Sequence, residues 1–571
     1  MLTIRTSHGE IPVLNNRLLP EGFAAHAENT RFETGTLMPY RRAALAHQFD
    51  VATKTVIRHG GQWIGLPFEA DVAPAPVAED RIYFTVDGAA PKMLADGVTY
   101  DLALPPPATA PTISTSGTTD PAEIEDIGYA YTFVTSFNEE SAPSPPSSPV
   151  EWSDGVTVTV EGFAEPAAGR GVDRIRIYRS QTSALGDTSL YFVKELTLPA
   201  SSWDHDLETD PMQEILPSVD FDMPPDDLAG LTAMPNGMMA GFTGKQLWFC
   251  EPYQPHAWPA KYMLTLDYPI VGLASFGSAL AIMTKGTPYL AQGTAPETMA
   301  MEKMEALLPC VSKDAIVDLG YAAVYPSSDG LVMISPQGAR IITGNLFLPR
   351  EWRRLSPATF FAAQYRGLYV FAYLAEDIPI ADAQAPGTDF TDIPLWDCGG
   401  PSTTEGVIIY DGGSPFTEAK HRALGIINAG AEQPEFVRVS SDVAVYPASL
   451  YFSVEDELIY TLGQDGALYE FDSAYGAPSR YTWTSPEFRL PSVTGYAGVY
   501  VEIENAELQP KLTVEVFAGG KLIHTRDDVG DGLFRLPSGF KDRTWQVTLS
   551  GNAEVAACHL LESYDEIAGG A

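Results

Sequence analysis

One short apolar phrase returns six times between Leu247 and Leu458. It reads Gln246-Leu-Trp-Phe-Cys250, Ala279-Leu-Ala-Ile-Met283, Gly330-Leu-Val-Met-Ile334, Gly367-Leu-Tyr-Val-Phe371, Gly406-Val-Ile-Ile-Tyr410 and Glu457-Leu-Ile-Tyr-Thr461. Runs of four or five apolar, β-branched and aromatic residues are too short for helices and fit strands buried on both faces. Measured from the second residue of each phrase, the intervals are 33, 51, 37, 39 and 51 residues. Self-similarity at about 40–50 residues is what a β-propeller leaves in sequence, one small sheet per period. An irregular array of β-sandwiches would also scatter buried strands, and the uneven intervals keep that alternative open.

Around this core the pattern changes. Residues 1–104 begin as a polar, irregular arm and then give short strands at Gln62-Trp-Ile-Gly65 and Arg81-Ile-Tyr-Phe-Thr-Val86, the second ending in the turn pair Asp87-Gly88. These resemble the later phrases and predict first propeller strands that close the ring. Leu104-Pro-Pro-Pro107 opens an extended linker, after which the period becomes two. Tyr129, Tyr131, Phe133 and Phe137 share one face; Val156, Val158 and Val160 alternate with threonines, and Ile175 and Ile177 with arginines. One buried and one wet face predicts an antiparallel sandwich, so 105–221 reads as an inserted module of fibronectin type III size.

The propeller phrases occupy 222–480, and 481–571 returns to alternation. There Val499, Val501 and Ile503 form one strand, Leu512, Val514 and Val516 another running into Gly519-Gly520, and Trp545, Val547 and Leu549 a third. The predicted fold is mainly β: a β-propeller with an inserted fibronectin III-like β-sandwich and a C-terminal β-sandwich.

Composition narrows the function. A chain of 571 residues suggests three or four domains, and its 49 Gly and 46 Pro are spread as turn punctuation. With 35 Lys+Arg against 74 Asp+Glu the formal charge is −39, which disfavours stable non-specific binding of a polyphosphate. Cys250, Cys310, Cys398 and Cys558 lie at least 60 residues apart, so neither a cysteine zinc site nor a dense disulfide framework is indicated. The N-terminus lacks a signal-peptide core, and no run approaches the ~18–20 apolar residues of a membrane span. A soluble protein made in the cytoplasm is expected.

Motifs that carry chemistry are missing or incomplete. The nine histidines form neither HxH nor HExxH, and no GxSxG elbow occurs. Gly241-Phe-Thr-Gly244-Lys245 has Met239 where a phosphate loop needs glycine and Gln246 where it needs a hydroxyl; Gly169-Arg-Gly171 lacks the third dinucleotide glycine. Asp204, Asp206, Glu208 and Asp210 alternate like calcium ligands, but Thr209 and Ile215 stand where the loop needs glycine and glutamate. Asp528 and Asp531 beside Gly530 and Gly532 read as turn residues. Ser327-Ser-Asp329-Gly330 matches only the start of a sialidase turn. No catalytic, cofactor-binding or metal-ligating residue is predicted, and no cofactor.

Three segments nonetheless stand out. The first is Leu19-Pro-Glu-Gly-Phe-Ala-Ala-His-Ala-Glu-Asn29-Thr-Arg31-Phe-Glu-Thr-Gly35-Thr-Leu37-Met-Pro39-Tyr-Arg41. The second is Tyr131-Thr-Phe-Val-Thr-Ser-Phe-Asn-Glu-Glu-Ser-Ala-Pro-Ser-Pro145 with Asp173-Arg-Ile-Arg-Ile-Tyr-Arg-Ser180, and the third Phe534-Arg-Leu-Pro-Ser-Gly-Phe540 leading into Trp545-Gln-Val-Thr-Leu-Ser-Gly551. In this order they resemble the nozzle proteins of short-tailed bacteriophages, the tail tubular protein B type. The resemblance implies a virion tail protein without enzymatic activity, assembled in the bacterial host cytoplasm. It implies a hexameric ring below the tail adaptor protein, next to tail fibre or needle proteins, that retains double-stranded DNA and passes it at ejection. The distinct fibronectin-like module departs from that pattern, and no site residue carries over.

The charge is compatible with such a role. Duplex DNA carries one negative charge per ~1.7 Å, so basic walls would grip it and acidic walls keep it centred. Six copies would carry −234, six times −39. Two other classes compete: an adhesin whose sandwiches bind a host-surface glycan through loop aromatics such as Trp152, Trp203 and Trp258, and a propeller glycoside hydrolase using a carboxylate pair.

Overall fold

The computed structural model describes the chain except residues 75–79, 119–123, 183–187, 206–213, 377–419, 432, 441–442, 444–446, 464, 506–509, 531 and 564–571. The chain forms two compact units: Met1–Pro67 with Ala306–Ala571, and Phe68–Glu305. Both are built of strands, and the one α-helix among the described residues is the six-residue Pro349–Arg354.

In the first unit the repeating phrase builds small antiparallel meanders of the propeller-blade type. Val317–Asp318, Ala323–Ser327, Gly330–Ser335 and Gly338–Ile341 make one sheet; Phe361–Tyr365, Leu368–Glu376, Lys420–Ile427 and Phe436–Val439 pair in the same manner. A third meander, Pro447–Ser453, Leu458–Gly463 and Ala467–Glu470, is completed by Ala44–Gln48 from the N-terminal arm. The second unit holds three such sheets: Asp71–Pro74 through Val98–Asp101, Ala229–Ala233 through Leu264–Thr265, and Ile270–Phe276 through Ala300–Lys303. Five of the six phrases are inner strands of these sheets, which is why they are apolar on both faces. The sixth, Gly406–Tyr410, lies outside the described residues.

The fibronectin III-like sandwich belongs to the second unit. Tyr129–Thr135, Val172–Thr182 and Thr188–Thr197 form one sheet and Thr112–Ser116, Thr157–Glu161 and Ser202–His205 another, with Tyr129, Tyr131, Phe133, Val158, Val160, Ile175 and Ile177 in the core. Tyr129–Thr135 departs from the predicted wet face, since every residue in it is buried. The proline-rich run that follows lies along its edge, and Glu140 from that run accepts the Thr132 hydroxyl at 2.7 Å. Ser141, Ser144 and Ser147 donate their amides to the carbonyls of Phe133, Tyr131 and Tyr129 at 2.9, 2.8 and 2.8 Å. Their hydroxyls accept the amides of the same three residues at 3.0, 3.1 and 3.0 Å. The edge of the strand is thereby covered. Phe137 lies past the strand end and packs on Tyr100 instead, with ring centroids 5.2 Å apart.

The C-terminal sandwich uses the predicted strands, Gly498–Ile503, Leu512–Ala518 and Asp542–Gly551, with Gly519 and Gly520 both at positive φ in the hairpin turn. Its buried Val514, Val547 and Leu549 contribute about 1.5–3 kcal/mol each. The N-terminal arm is not irregular throughout. Leu2–Arg5 pairs with Val555–Leu561, and His26–Glu28 lies between Phe436–Val439 and Tyr481–Thr484. That short strand fuses a blade-type sheet and a sandwich sheet into one of ten strands.

Glu10 holds this junction. Its amide donates to the Phe436 carbonyl (2.8 Å) and its carbonyl accepts the Phe436 amide (3.0 Å). The buried carboxylate accepts the Ala27 amide at 2.8 Å, Arg438 Nε at 3.0 Å and Arg438 Nη2 at 3.2 Å, with His26 Nδ1 3.2 Å away. Burial alone would raise the Glu10 carboxyl, but the His26 hydrogen bond and Arg438 outweigh it and hold it below the ordinary value of 4.5. The bonds to Glu10 and then Glu28 push His26 up to about 9.

Glu10→Ala leaves the Ala27 amide orphaned, takes the carboxylate from Arg438 and leaves His26 with Glu28 alone of its two carboxylates. The expected loss is about 3 kcal/mol in urea denaturation, at the low end for a broken buried pair because the Arg438 and His26 side chains are 42% and 40% exposed. A raised histidine stabilises the fold fully below its ordinary value near 6.5, and that stabilisation fades as pH rises through about 9. The urea midpoint should therefore drop between pH 7 and 10, and His26→Gln should flatten that drop.

Candidate functional site

The segment 19–41 is positioned by polar anchors rather than by its own regular structure. Asn29 adopts a left-handed backbone (φ 57°) and uses its amide group three ways: Nδ2 donates to Ser440 Oγ (2.8 Å) and the Arg480 carbonyl (3.0 Å), and Oδ1 accepts the Ser440 amide (2.8 Å). Arg31 Nη1 reaches the buried carboxylate of Asp472 at 3.0 Å, which also takes the Arg41 amide (2.7 Å) and the Tyr365 hydroxyl (2.8 Å). Leu37 is fully buried and pairs with Val555. The residues that mark this segment in sequence are thus scaffold residues.

Beside it a cleft of about 310 Å³ opens in the first unit, with Thr30, Arg31, Phe32 and Glu33 on one side and Leu368, Ile426, Asn428, Glu435 and Val437 on the other. Glu435 Oε2 accepts the Gly9 amide at 2.7 Å and lies 3.4 Å from His8 Nδ1. Gly9 is required there, because a Cβ would stand 2.7 Å from the Phe436 carbonyl oxygen. Glu33 pairs with Arg366 at 3.4 Å. Within two of these residues, Thr30 Oγ1 and Arg31 Nε are buried out of reach of solvent and have no hydrogen-bond partner. Thr30 is 0% exposed.

A second polar cluster sits in the other unit around Glu139 and Glu140, just after Asn138 turns the chain at φ 62°. Glu139 Oε2 accepts Arg170 Nη2 at 2.6 Å, with Arg81 Nη1 3.9 Å from Oε1. Glu140 accepts Thr132 Oγ1 (2.7 Å), the Tyr178 hydroxyl (2.6 Å) and Arg176 Nη1 (2.9 Å). His256 Nε2 donates to the Glu140 carbonyl at 2.8 Å, and burial keeps its ring below the ordinary histidine value. Most of these groups pair with one another and with buried hydroxyls, while Glu139 Oε1, Arg170 Nε and Nη1 and His256 Nδ1 are buried without a hydrogen-bond partner. The cluster ties the inserted sandwich to strand Arg81–Thr85 and the 256 loop, and it presents no activated nucleophile.

The residues weighed in sequence scatter. Trp258 is fully buried and donates to the Pro255 carbonyl (2.8 Å); Trp203 stacks on His205 at 4.5 Å; Trp152 donates to the Val156 carbonyl (2.9 Å). Asp204 accepts Thr159 Oγ1 at 2.7 Å, while Asp206, Glu208, Asp210, Asp531 and Cys398 lie outside the described residues. Asp329 pairs with Arg353. Cys250, Cys310 and Cys558 are buried, and desolvation pushes each thiol up to about 12. Among the described residues no His, Cys, Asp and Glu side chains group as a metal set, and no helix is long and apolar enough to cross a membrane. The cleft had no signal in sequence, because its walls come from segments about 400 residues apart.

No family model matches the chain, and no curated protein matches it. Among solved structures it is similar to an ancestral GH74 enzyme (10% identity, TM-score 0.28, over 80% of this chain and 57% of that one). It is also similar to apo AztD from Citrobacter koseri (9%, 0.26, 74% and 99%). A third is PorZ, a surface component of the type-IX secretion system of Porphyromonas gingivalis (11%, 0.23, 90% and 77%). At these identities and scores the likenesses say nothing of what this chain does.

Removing either partner of the Glu139–Arg170 pair strands a buried charge. Glu139→Leu and Arg170→Leu should each cost about 3–5 kcal/mol, and the double variant less than the sum, as read from a double-mutant cycle in chemical denaturation.

Proposed function

We propose that this chain is a non-enzymatic structural subunit of a bacteriophage tail, a nozzle-type ring that retains and then passes double-stranded DNA. The observation that carries the reading is the ordered set of three segments resembling nozzle proteins. Two of them do defined structural work here: the 19–41 segment anchors on Asp472 and Ser440, and the Tyr131–Pro145 segment holds the serine run that covers a strand edge. The formal charge of −39 supports it as well, since a conduit for a polyanion works better when its walls do not bind. The partners of this reading are further copies of the chain in a hexamer, the tail adaptor above, and fibre or needle proteins beside it.

Mass photometry and negative-stain images of purified protein should show a ring with an open centre; a monomer at all concentrations, in particles as in solution, sinks the reading. Exchanging for lysine the acids that such images place on the channel wall should slow DNA ejection, most at low salt, because each added cation gains a phosphate contact.

A further inference from the structure

Two exposed surfaces of opposite charge lie on different units of the chain. The first is the helix Pro349–Arg354, which holds three of the chain's 35 basic residues in six positions. Trp352 fixes it, being fully buried with its indole Nε1 donating to the Ser327 carbonyl at 2.8 Å. Arg353 turns back to Asp329. Arg350 and Arg354, four positions apart and so on one face, are exposed and carry no ion pair among the described residues. Leu348, just before the helix, is exposed too, as is Ile341, which covers Gly330 next to Asp329.

The second surface is the ridge 214–227 in the other unit. Leu216, Ser218 and Pro224 are buried, and the Leu216 amide donates to the Leu190 carbonyl at 2.8 Å, so the segment is pinned. Its outward residues are apolar: Ile215, Val219 and Met223 are 57%, 59% and 46% exposed. Asp220 is spent on Lys261 and Asp222 on the Ala260 amide. Asp226 and Asp227 are exposed and carry no ion pair among the described residues.

We infer that these surfaces are the two halves of one contact, the arginine face of one copy against the acidic, apolar ridge of the next. Two free guanidiniums meet two free carboxylates, and each set has apolar side chains beside it. Salt confines the charge match to about 8 Å, so the local surface decides the partner and not the total of −39. A phosphate backbone would satisfy the arginines but offers nothing to Leu348 and Ile341. The ridge satisfies both, and the arginine stems can cover its apolar side chains. The charges set register and encounter rate while apolar burial supplies affinity. Because the halves are unlike, the pairing runs head to tail and leaves one half free at each end until a ring closes. Ring closure rests on the nozzle reading; the contact does not.

Mass photometry and sedimentation velocity of the full chain test it, at about 50 and about 500 mM NaCl. Arg350→Glu with Arg354→Glu, and Asp226→Lys with Asp227→Lys, should each weaken association about tenfold or more, with the thermal transition unchanged. All four together should restore it, since the charges are then exchanged. Val219→Ser should weaken it at both salt concentrations. Assembly unchanged in both double variants overturns the contact and leaves the ring standing. Open chains that the double variants dissolve uphold the contact and remove the ring, and a wild-type monomer at every concentration removes both. A labelled DNA duplex that loses binding in Arg350→Glu with Arg354→Glu, while assembly persists, also overturns the inference.

Discussion

A single carboxylate ties together segments of the first unit that are far apart in sequence. Glu10 collects an amide and an imidazole from the strand His26–Glu28 and a guanidinium from the strand Phe436–Val439. Its own backbone meanwhile bonds to Phe436. A buried anion is tolerable only when its lone pairs are filled, so these partners specify one another's positions. Two further pairings act in the same direction: Leu2–Arg5 with Val555–Leu561, and Ala44–Gln48 with Ala467–Glu470. The unit therefore depends on contacts between opposite ends of the sequence, the kind whose loop-closure entropy must be met before any reward arrives.

Much of the architecture was legible because it rests on local periodicity. The apolar phrase marks inner strands, and the unevenness that left a sandwich array open has a simple origin. The phrase falls on the third strand of its sheet at Gln246–Phe249 and Gly330–Ser335, but on the second at Ala279–Thr284 and Leu368–Glu376. Steps from third to second give the short intervals of 33 and 37 residues, and the step from second to third gives 51. What escaped notice has no period. The strands of two to five residues in the N-terminal arm are too brief for alternation to show, and Glu10 reads as one acid among 74. The cleft is invisible for the same reason, since Thr30 and Glu435 are neighbours only after folding. Trp258 sits near a predicted turn and is core, the commoner place for a large aromatic.

Polar residues here mostly hold the framework. Asn29, Asp472 and Glu140 are each spent on neighbours of the same unit. Such fully engaged groups resist reassignment to chemistry, because freeing one leaves its partner buried and unpaired. Thr30 Oγ1, Arg31 Nε, Glu139 Oε1 and Arg170 Nε and Nη1 differ, being buried without a hydrogen-bond partner.

The serine run along Tyr129–Thr135 has a consequence for association. An open strand edge is an invitation to any other extended chain, and a protein present at high local concentration with copies of itself is the one most exposed to that hazard. Ser141, Ser144 and Ser147 occupy the donors and acceptors of Phe133, Tyr131 and Tyr129, and the prolines between them offer no amide of their own. The border is closed from within by a segment that cannot itself be extended into a sheet, so this side of the module is barred from templating growth.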